Sequence, residues 1–253
     1  MIRSRLRTAL AGYWPVLLVV AVWQIWISAG QVARIVAPAP IDVAREFVTH
    51  AGVYFAAGGV TLAVAAAGLV IGTALGCALA VLCWFSPFVT GMLTLPAVLI
   101  QSTPLVALMP VIARLIGYDQ RTVVASAALI TFFPTFVLVA SGLRALPPGT
   151  ADLLRVLGAG KLASLRLLVL PSAVPNLLVA LRISSANCIL AALVAEYLMG
   201  TSGLGRLFAT SESRFDTAAA WAACLVATIV SVAAFLASRR LERSTRKRFA
   251  ASA

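Results

Sequence analysis

Long apolar runs separated by short, basic polar segments set the pattern of this chain. No charged residue occurs between Ala51 and Ala113, Thr122–Leu143 is charge-free, Ser172–Ala195 is interrupted only by Arg182, and Thr217–Ser238 is charge-free again. A helical crossing takes about 20 residues, because each adds about 1.5 Å and the hydrocarbon core is about 30 Å thick. The run from Ala51 is long enough for two crossings. It folds back at Ser86-Pro87, where proline cannot continue a helix from the preceding turn. An earlier run, Tyr13–Ala29, carries Trp14, Trp23, Gln24 and Trp26 without a small-residue cleavage site, which predicts a retained first span rather than a leader. The pattern therefore predicts an all-α, polytopic membrane protein. Its six transmembrane helices lie near 12–29, 55–85, 88–108, 122–143, 172–195 and 217–238, in a single domain covering 1–253.

Composition leads to the same solvent. Of the 253 residues, 62% are hydrophobic and 11% charged, against about 45–50% and about 25% in soluble domains. The chain lacks the residues for a polar coat, so its outer surface must face lipid. The net charge of +12 would suggest nucleic acid on a soluble protein. Here the charge is confined to the segments between apolar runs, where it sets topology instead. One side receives Arg3, Arg5 and Arg7, then Arg144, Arg155, Lys161 and Arg166, then the tail Arg239–Arg248. The other receives Arg34, Arg45, Arg114, Arg121, Arg206 and Arg214, less than half as many. The positive-inside rule puts both termini in the cytoplasm. The basic tail is also placed to touch anionic lipid headgroups.

Little in the chain points to catalysis. Cys77, Cys83, Cys188 and Cys224 sit singly in apolar runs and read as small core residues. With one histidine, His50, in a polar amphipathic segment, neither a metal site nor a Ser-His pair is expected. There is no phosphate-binding loop of the form G-x-x-x-x-G-K-[ST], so no cofactor is expected and any ATP chemistry has to come from a partner. Gly68, Gly72 and Gly76 recur every fourth residue, a spacing that lets two helices approach closely. It fits packing inside the subunit or a seam between subunits.

The segment after the fourth predicted crossing is longer than an idle connection between membrane helices needs to be. Pro147 and Pro148 end the crossing. Thr150 is placed to cap a short helix with Asp152 in its first turn, and Leu153, Leu154 and Leu157 give that helix an apolar face. Gly158 and Gly160 are expected to make a positive-φ turn, a second helix starts at Lys161, and Leu170-Pro171 leads into the fifth span. Two readings remain on physics alone: a docking knob, or an interfacial helix lying on headgroups.

The spacing of Asp152, Gly158 and Leu170-Pro171 resembles the signature loop of binding-protein-dependent ATP-binding-cassette importer permeases. That loop runs Glu-Ala-Ala, three residues, Gly, nine residues, Ile-x-Leu-Pro. This chain has Asp152-Leu153-Leu154 in place of Glu-Ala-Ala and Leu168 in place of Ile, while Gly158, Leu170 and Pro171 match. The stretch Gln101–Pro110, Phe132-Phe133-Pro134, Leu181-Arg182, and Ala195-Glu196 followed by Gly203-Leu204-Gly205 resemble one branch of that family, which handles nitrate, sulfonates, taurine, bicarbonate and pyrimidine vitamin precursors. The likeness runs from about Phe55 to about Ser238. It implies the type I importer permease fold in a bacterial inner membrane, with a cytoplasmic coupling helix built on Thr150, Asp152, Leu153, Leu154, Leu157, Gly158, Leu170 and Pro171. It also implies three partners: a pair of cytoplasmic ATPase subunits, a second permease of the same or a homologous chain, and an extracytoplasmic solute-binding protein. The solute would be small and anionic or heterocyclic.

Four residues are candidates for the solute path. An acidic or basic group within a span is costly and tends to serve function. Arg182 must face a polar path, a carboxylate or backbone carbonyls. Glu196 lies at the outer end of the fifth span and is either functional or paired with Arg206 or Arg214. Pro104 breaks a helix near the path, and Phe133 is either packing or a gate. The competing function is a stand-alone secondary transporter or channel, but the chain has neither an inverted repeat nor a selectivity-filter motif.

Overall fold

The computed structural model describes residues 2–30, 36–146, 149–150, 156 and 158–250. Helices are the only regular elements among them. In chain order they are α1 (Ile2–Ser28), α2 (Pro40–Thr49), α3 (Ala51–Phe85), α4 (Pro87–Ser102), α5 (Leu105–Ile116), α6 (Gln120–Arg144), α7 (Lys161–Met199), α8 (Leu204–Ser213) and α9 (Thr217–Ala250). Four of them, α3, α6, α7 and α9, contain stretches long and apolar enough to cross a membrane, while Trp14–Ser28 of α1 and α5 are shorter apolar helices.

The core is a three-helix packing of α3, α6 and α7, with α9 against α7. Small residues set its closeness. The glycine stripe of α3 lies directly on α6, so it serves packing inside the subunit and not a seam between subunits. A Cβ on Gly76 would stand 2.7 Å from the Phe132 carbonyl oxygen and 2.9 Å from Thr135 Cβ. On Gly68 or Gly72 it would meet Ala127 or the Ala128 carbonyl. On α6, the hydroxyls of Ser126, Thr131 and Thr135 donate to the carbonyls of Thr122, Ala127 and Thr131, so buried polar groups are satisfied within their own helix. Asp119 caps α6 by accepting from the Arg121 N–H at 2.8 Å.

Large apolar side chains cover the outside. Val70, Leu75, Phe88, Leu95, Leu115 and Ile229 are all more than half exposed. On a bundle of apolar helices, that surface is completed by lipid. The amphipathic segment after Pro40 forms α2. It buries Val43 against α9, leaves Ile41 and Val48 exposed, and brings Phe47 to 5.8 Å from the Tyr54 ring.

The helices depart from the sequence reading in three places. The stretch expected as one helix over 88–108 is two, α4 and α5, broken at Thr103-Pro104 and continuing to Ile116. Pro104 has no N–H and disfavours helical geometry at Thr103. The Ser102 and Thr103 hydroxyls, 2.9 and 3.0 Å from the Leu99 carbonyl, occupy the acceptor left at the break. At the far end, α9 does not stop at Ser238 but continues as helix to Ala250, because no glycine or proline interrupts it. Finally, the helix expected to begin at Lys161 and end at Pro171 is continuous with the next crossing. Leu165–Val169 adopts π-helical register, with the Leu170 N–H reaching the Leu165 carbonyl. The wider turn lies directly before Pro171, which has no N–H to give the ladder.

Candidate functional site

Two regions gather the residues singled out above. The first is the loop between α6 and α7. Leu165 and Val169 are buried among Ala80, Cys83, Phe136, Val139 and Leu143, which wedges the start of α7 between the ends of α3 and α6. Gly158 has φ +71°, and a Cβ there would meet nothing within 4 Å. Conformation, not space, is what this position demands. Gly160 does not share the positive φ expected of it. It is extended, at φ −68° and ψ 163°, and precedes the first turn of α7. Val156 is 84% exposed, and Leu162 and Leu167 are also open. Thr150 is half-buried, as is Pro171, and Leu170 is 39% exposed. Asp152, Leu153, Leu154 and Leu157 lie outside the described residues.

The second region is a cavity of about 300 Å³ under the α4–α5 break. Pro104 and Phe133, from different helices, both line it. With them are Ser102 and Thr103 from the break, Leu129, Ile130 and Pro134 from α6, and Asn187 from α7. Asn187 also lines a larger apolar cavity of about 460 Å³ between α7 and α9. Phe132, the neighbour of Phe133, stacks on Phe136 with centroids 6.3 Å apart, so the aromatic pair divides between packing and cavity wall.

Arg182 and Glu196 do not line this cavity. Arg182 Nη1 lies 2.9 Å from Glu242 Oε2, in an ion pair whose carboxylate is 8% exposed. The Ser231 hydroxyl on the Ala186 carbonyl, at 3.2 Å, sets the register of α7 against α9. From that level Glu242 is eleven residues further along α9, about 16 Å, and Arg182 four residues back along α7, about 6 Å. The two side chains therefore span about 10 Å along the bundle, with Arg182 reaching toward the loop end, as long basic side chains do.

Glu196 pairs with neither Arg206 nor Arg214. It is 1% exposed and sits at the centre of a bonded group. Its Oε2 accepts from the Thr61 hydroxyl at 2.8 Å and from the Gly205 N–H at 3.0 Å, and Thr61 Oγ1 in turn accepts the Leu204 N–H at 2.9 Å. Gly203 has φ +110°, and a Cβ there would run into the Glu196 carboxylate. The carboxylate thus pins the turn that starts α8 onto α3 and α7, using the N–H groups that the first turn of a helix leaves free. Glu196 Oε1 is buried without a partner among the described residues.

Sequence reasoning missed Asn187, Thr61 and Glu242. Asn187 was legible as one of two amides, with Asn176, in a mostly apolar run. Glu242 was obscured by the arginines around it, and Thr61 gave no signal, because its partners are distant in the chain.

Residues 68–247 match the family described as binding-protein-dependent transport system inner membrane component. A probable ABC transporter permease protein of Haemophilus influenzae is 28% identical over 83% of this chain and 86% of its own length. The formylaminopyrimidine transport permease protein ThiX of Halalkalibacterium halodurans is 28% identical over 89% of this chain and 90% of its own. A putative aliphatic sulfonates transport permease protein SsuC of Bacillus subtilis is 26% identical over 90% and 84%. The fold resembles that of the MetNI methionine ABC transporter in an inward-facing form (TM-score 0.65, 16% identity, 76% of this chain and 95% of that one). It also resembles an amino acid ABC transporter solved with histidines (TM-score 0.65, 19% identity, 80% and 96%). With the family match spanning well over half of its residues, the chain belongs to the binding-protein-dependent transport system inner membrane components, the permease subunits of ABC importers.

Proposed function

We propose that this permease contributes the cavity under the Thr103-Pro104 break to a solute path and is driven through its 144–171 loop by a cytoplasmic ATPase. One observation carries the reading. A single helix, α7, joins the loop exit at Lys161 to Asn187 at the cavity and Glu196 at the far end. At about 1.5 Å per residue, Asn187 stands about 39 Å along the rod from Lys161. The buried anchors Leu165 and Val169 tie the start of that rod to the ends of α3 and α6, so a displacement of the loop moves the wall of the cavity with it. The exposed Val156, Leu162 and Leu167 supply the apolar contact for the ATPase.

In this reading, two permeases of the same or homologous sequence enclose the path, and an extracytoplasmic binding protein delivers the solute. Closure of the ATPase pair on ATP turns the permeases from inward-open to outward-open. The loop and both termini lie in the cytoplasm, on the side favoured by the distribution of arginine and lysine. The relatives are named for formylaminopyrimidine and aliphatic sulfonates, which supports a small heterocyclic or anionic solute here.

Gly158 supplies the test. Valine at φ +71° is strained, whereas asparagine tolerates the left-handed region, and the Cβ of either has nothing within 4 Å. Gly158→Val should lose co-purification with the cognate ATPase while still inserting in the membrane, and Gly158→Asn should retain it. If Gly158→Val keeps both ATPase binding and ATP-driven uptake, the loop does not dock the ATPase.

A further inference from the structure

We propose that the cavity beneath the Thr103-Pro104 break accepts a small, neutral, planar heterocycle, and not a sulfonate or inorganic anion. The inference rests on the reading of that cavity as part of the solute path, and it chooses between the two solute classes left open above.

The choice follows from the charges available. None of the described residues that line the cavity is charged. Arg182 is the cation on α7 nearest to Asn187 in sequence, and its guanidinium is directed away from the cavity into the ion pair with Glu242, where its charge is already matched. An anion in this cavity would give up water without gaining a counter-charge, which is unfavourable in so apolar a setting.

The groups that do line the cavity suit a ring. Phe133 contributes an aromatic ring, and Leu105, Leu108, Leu129 and Ile130 give apolar walls. The polar groups are few and of complementary kinds. The Asn187 side chain is exposed and makes no hydrogen bond among the described residues, so its amide has both donors and its acceptor free. An unpartnered amide on a membrane-spanning helix is costly unless something polar meets it. The Ser102 and Thr103 hydroxyls spend their protons on the Leu99 carbonyl and keep lone pairs to accept with. Asn187 therefore fits a ring nitrogen or carbonyl on one edge of the solute, and the hydroxyls fit an N–H or amino group on another. A volume of about 300 Å³ lies at the small end of ligand pockets and suits one or two rings.

The test uses the whole importer, this chain with its cognate ATPase and binding protein, reconstituted in liposomes and supplied with ATP. The probes are radiolabelled formylaminopyrimidine and taurine. The wild-type complex should accumulate formylaminopyrimidine and not taurine. Asn187→Leu should lower the uptake by about tenfold, the loss expected for a polar contact that nothing replaces. Should Asn187→Leu fail to assemble with the ATPase, Asn187→Ala and Phe133→Leu carry the same expectation. Taurine accumulation at the rate of formylaminopyrimidine or faster would overturn the proposal. So would formylaminopyrimidine uptake indifferent to both Asn187 and Phe133, or an importer whose ATP hydrolysis responds to its binding protein yet leaves formylaminopyrimidine outside. A chain that binds no ATPase at all would instead refute the permease-path reading beneath it.

Discussion

Glu196 is the most deeply buried acidic residue among those described, at 1% exposed, and its removal strikes the bonds that hold the start of α8. In Glu196→Ala the Gly205 N–H loses its acceptor, while the Thr61 hydroxyl can turn to the Ala57 carbonyl, already 3.2 Å away, and Leu204 keeps its bond to Thr61. One buried donor is orphaned, at about 1–3 kcal/mol. Loss of the Cγ methylene adds about 0.8 kcal/mol. Against this stands relief from burying Glu196 Oε1, which has no partner. The net expectation is a loss of about 1–3 kcal/mol. At about 2–4 °C per kcal/mol for a chain of this size, the melting temperature of the detergent-purified subunit should fall by roughly 2–12 °C. Glu196→Gln keeps an oxygen for Gly205 and Thr61 and should stay within about 1 kcal/mol of wild type. Thr61→Val removes the acceptor of Leu204, and because it shares bonds with Glu196 the double mutant should be non-additive by more than about 0.5 kcal/mol. Thermal unfolding followed by fluorescence reads all four variants against the wild type. An alanine variant as stable as wild type, or strict additivity with Thr61→Val, would refute the assignment of Glu196 as the pin of α8.

Other perturbations are equally direct. Gly76→Leu should prevent close approach of α3 and α6, since a Cβ alone stands 2.7 Å from the Phe132 carbonyl where ordinary contact begins near 3.4 Å. It should destabilise by about 1–3 kcal/mol or more, read as lost monodisperse protein after heating. Gly59→Leu, at a position whose Cβ would meet nothing within 4 Å, should leave the same measurement unchanged. Arg182→Met leaves the Glu242 carboxylate buried and unpaired. The expected cost is about 1–3 kcal/mol, below that of a fully buried pair because Arg182 is 31% exposed. The exchange Arg182→Glu with Glu242→Arg should recover part of it, and failure of both single variants to shift the melting temperature would remove the pair from the account.

Much of this architecture was legible because one signal is strong. A membrane helix needs a long apolar run with little or no charge, and α3, α6, α7 and α9 each contain one. What the runs could not reveal was where a proline breaks a helix and where a helix absorbs it. Pro87 and Pro104 end helices, yet Pro134 and Pro175 lie inside α6 and α7, and Pro171 is accommodated by a π turn. Local sequence is the same kind of evidence in each case, and tertiary packing decides the outcome. The candidate site was half legible for a related reason. Pro104, Phe133 and Gly158 carry their chemistry in their own backbone or ring. Arg182 and Glu196 take their roles from Glu242, Thr61 and Gly205, whose placement depends on helix register across the bundle. A charge within an apolar run announces that a partner exists, but not which one.

The central claim is mechanical: the loop that precedes α7 meets a cytoplasmic ATPase. Val156 is fully available for the decisive measurement, being 84% exposed and next to the turn at Gly158. With a photoreactive amino acid in place of Val156 in the assembled importer, irradiation should yield a covalent adduct to the ATPase subunit and none to the external binding protein. An adduct to the binding protein, or labelling of lipid alone in a complex that contains the ATPase, would contradict the account.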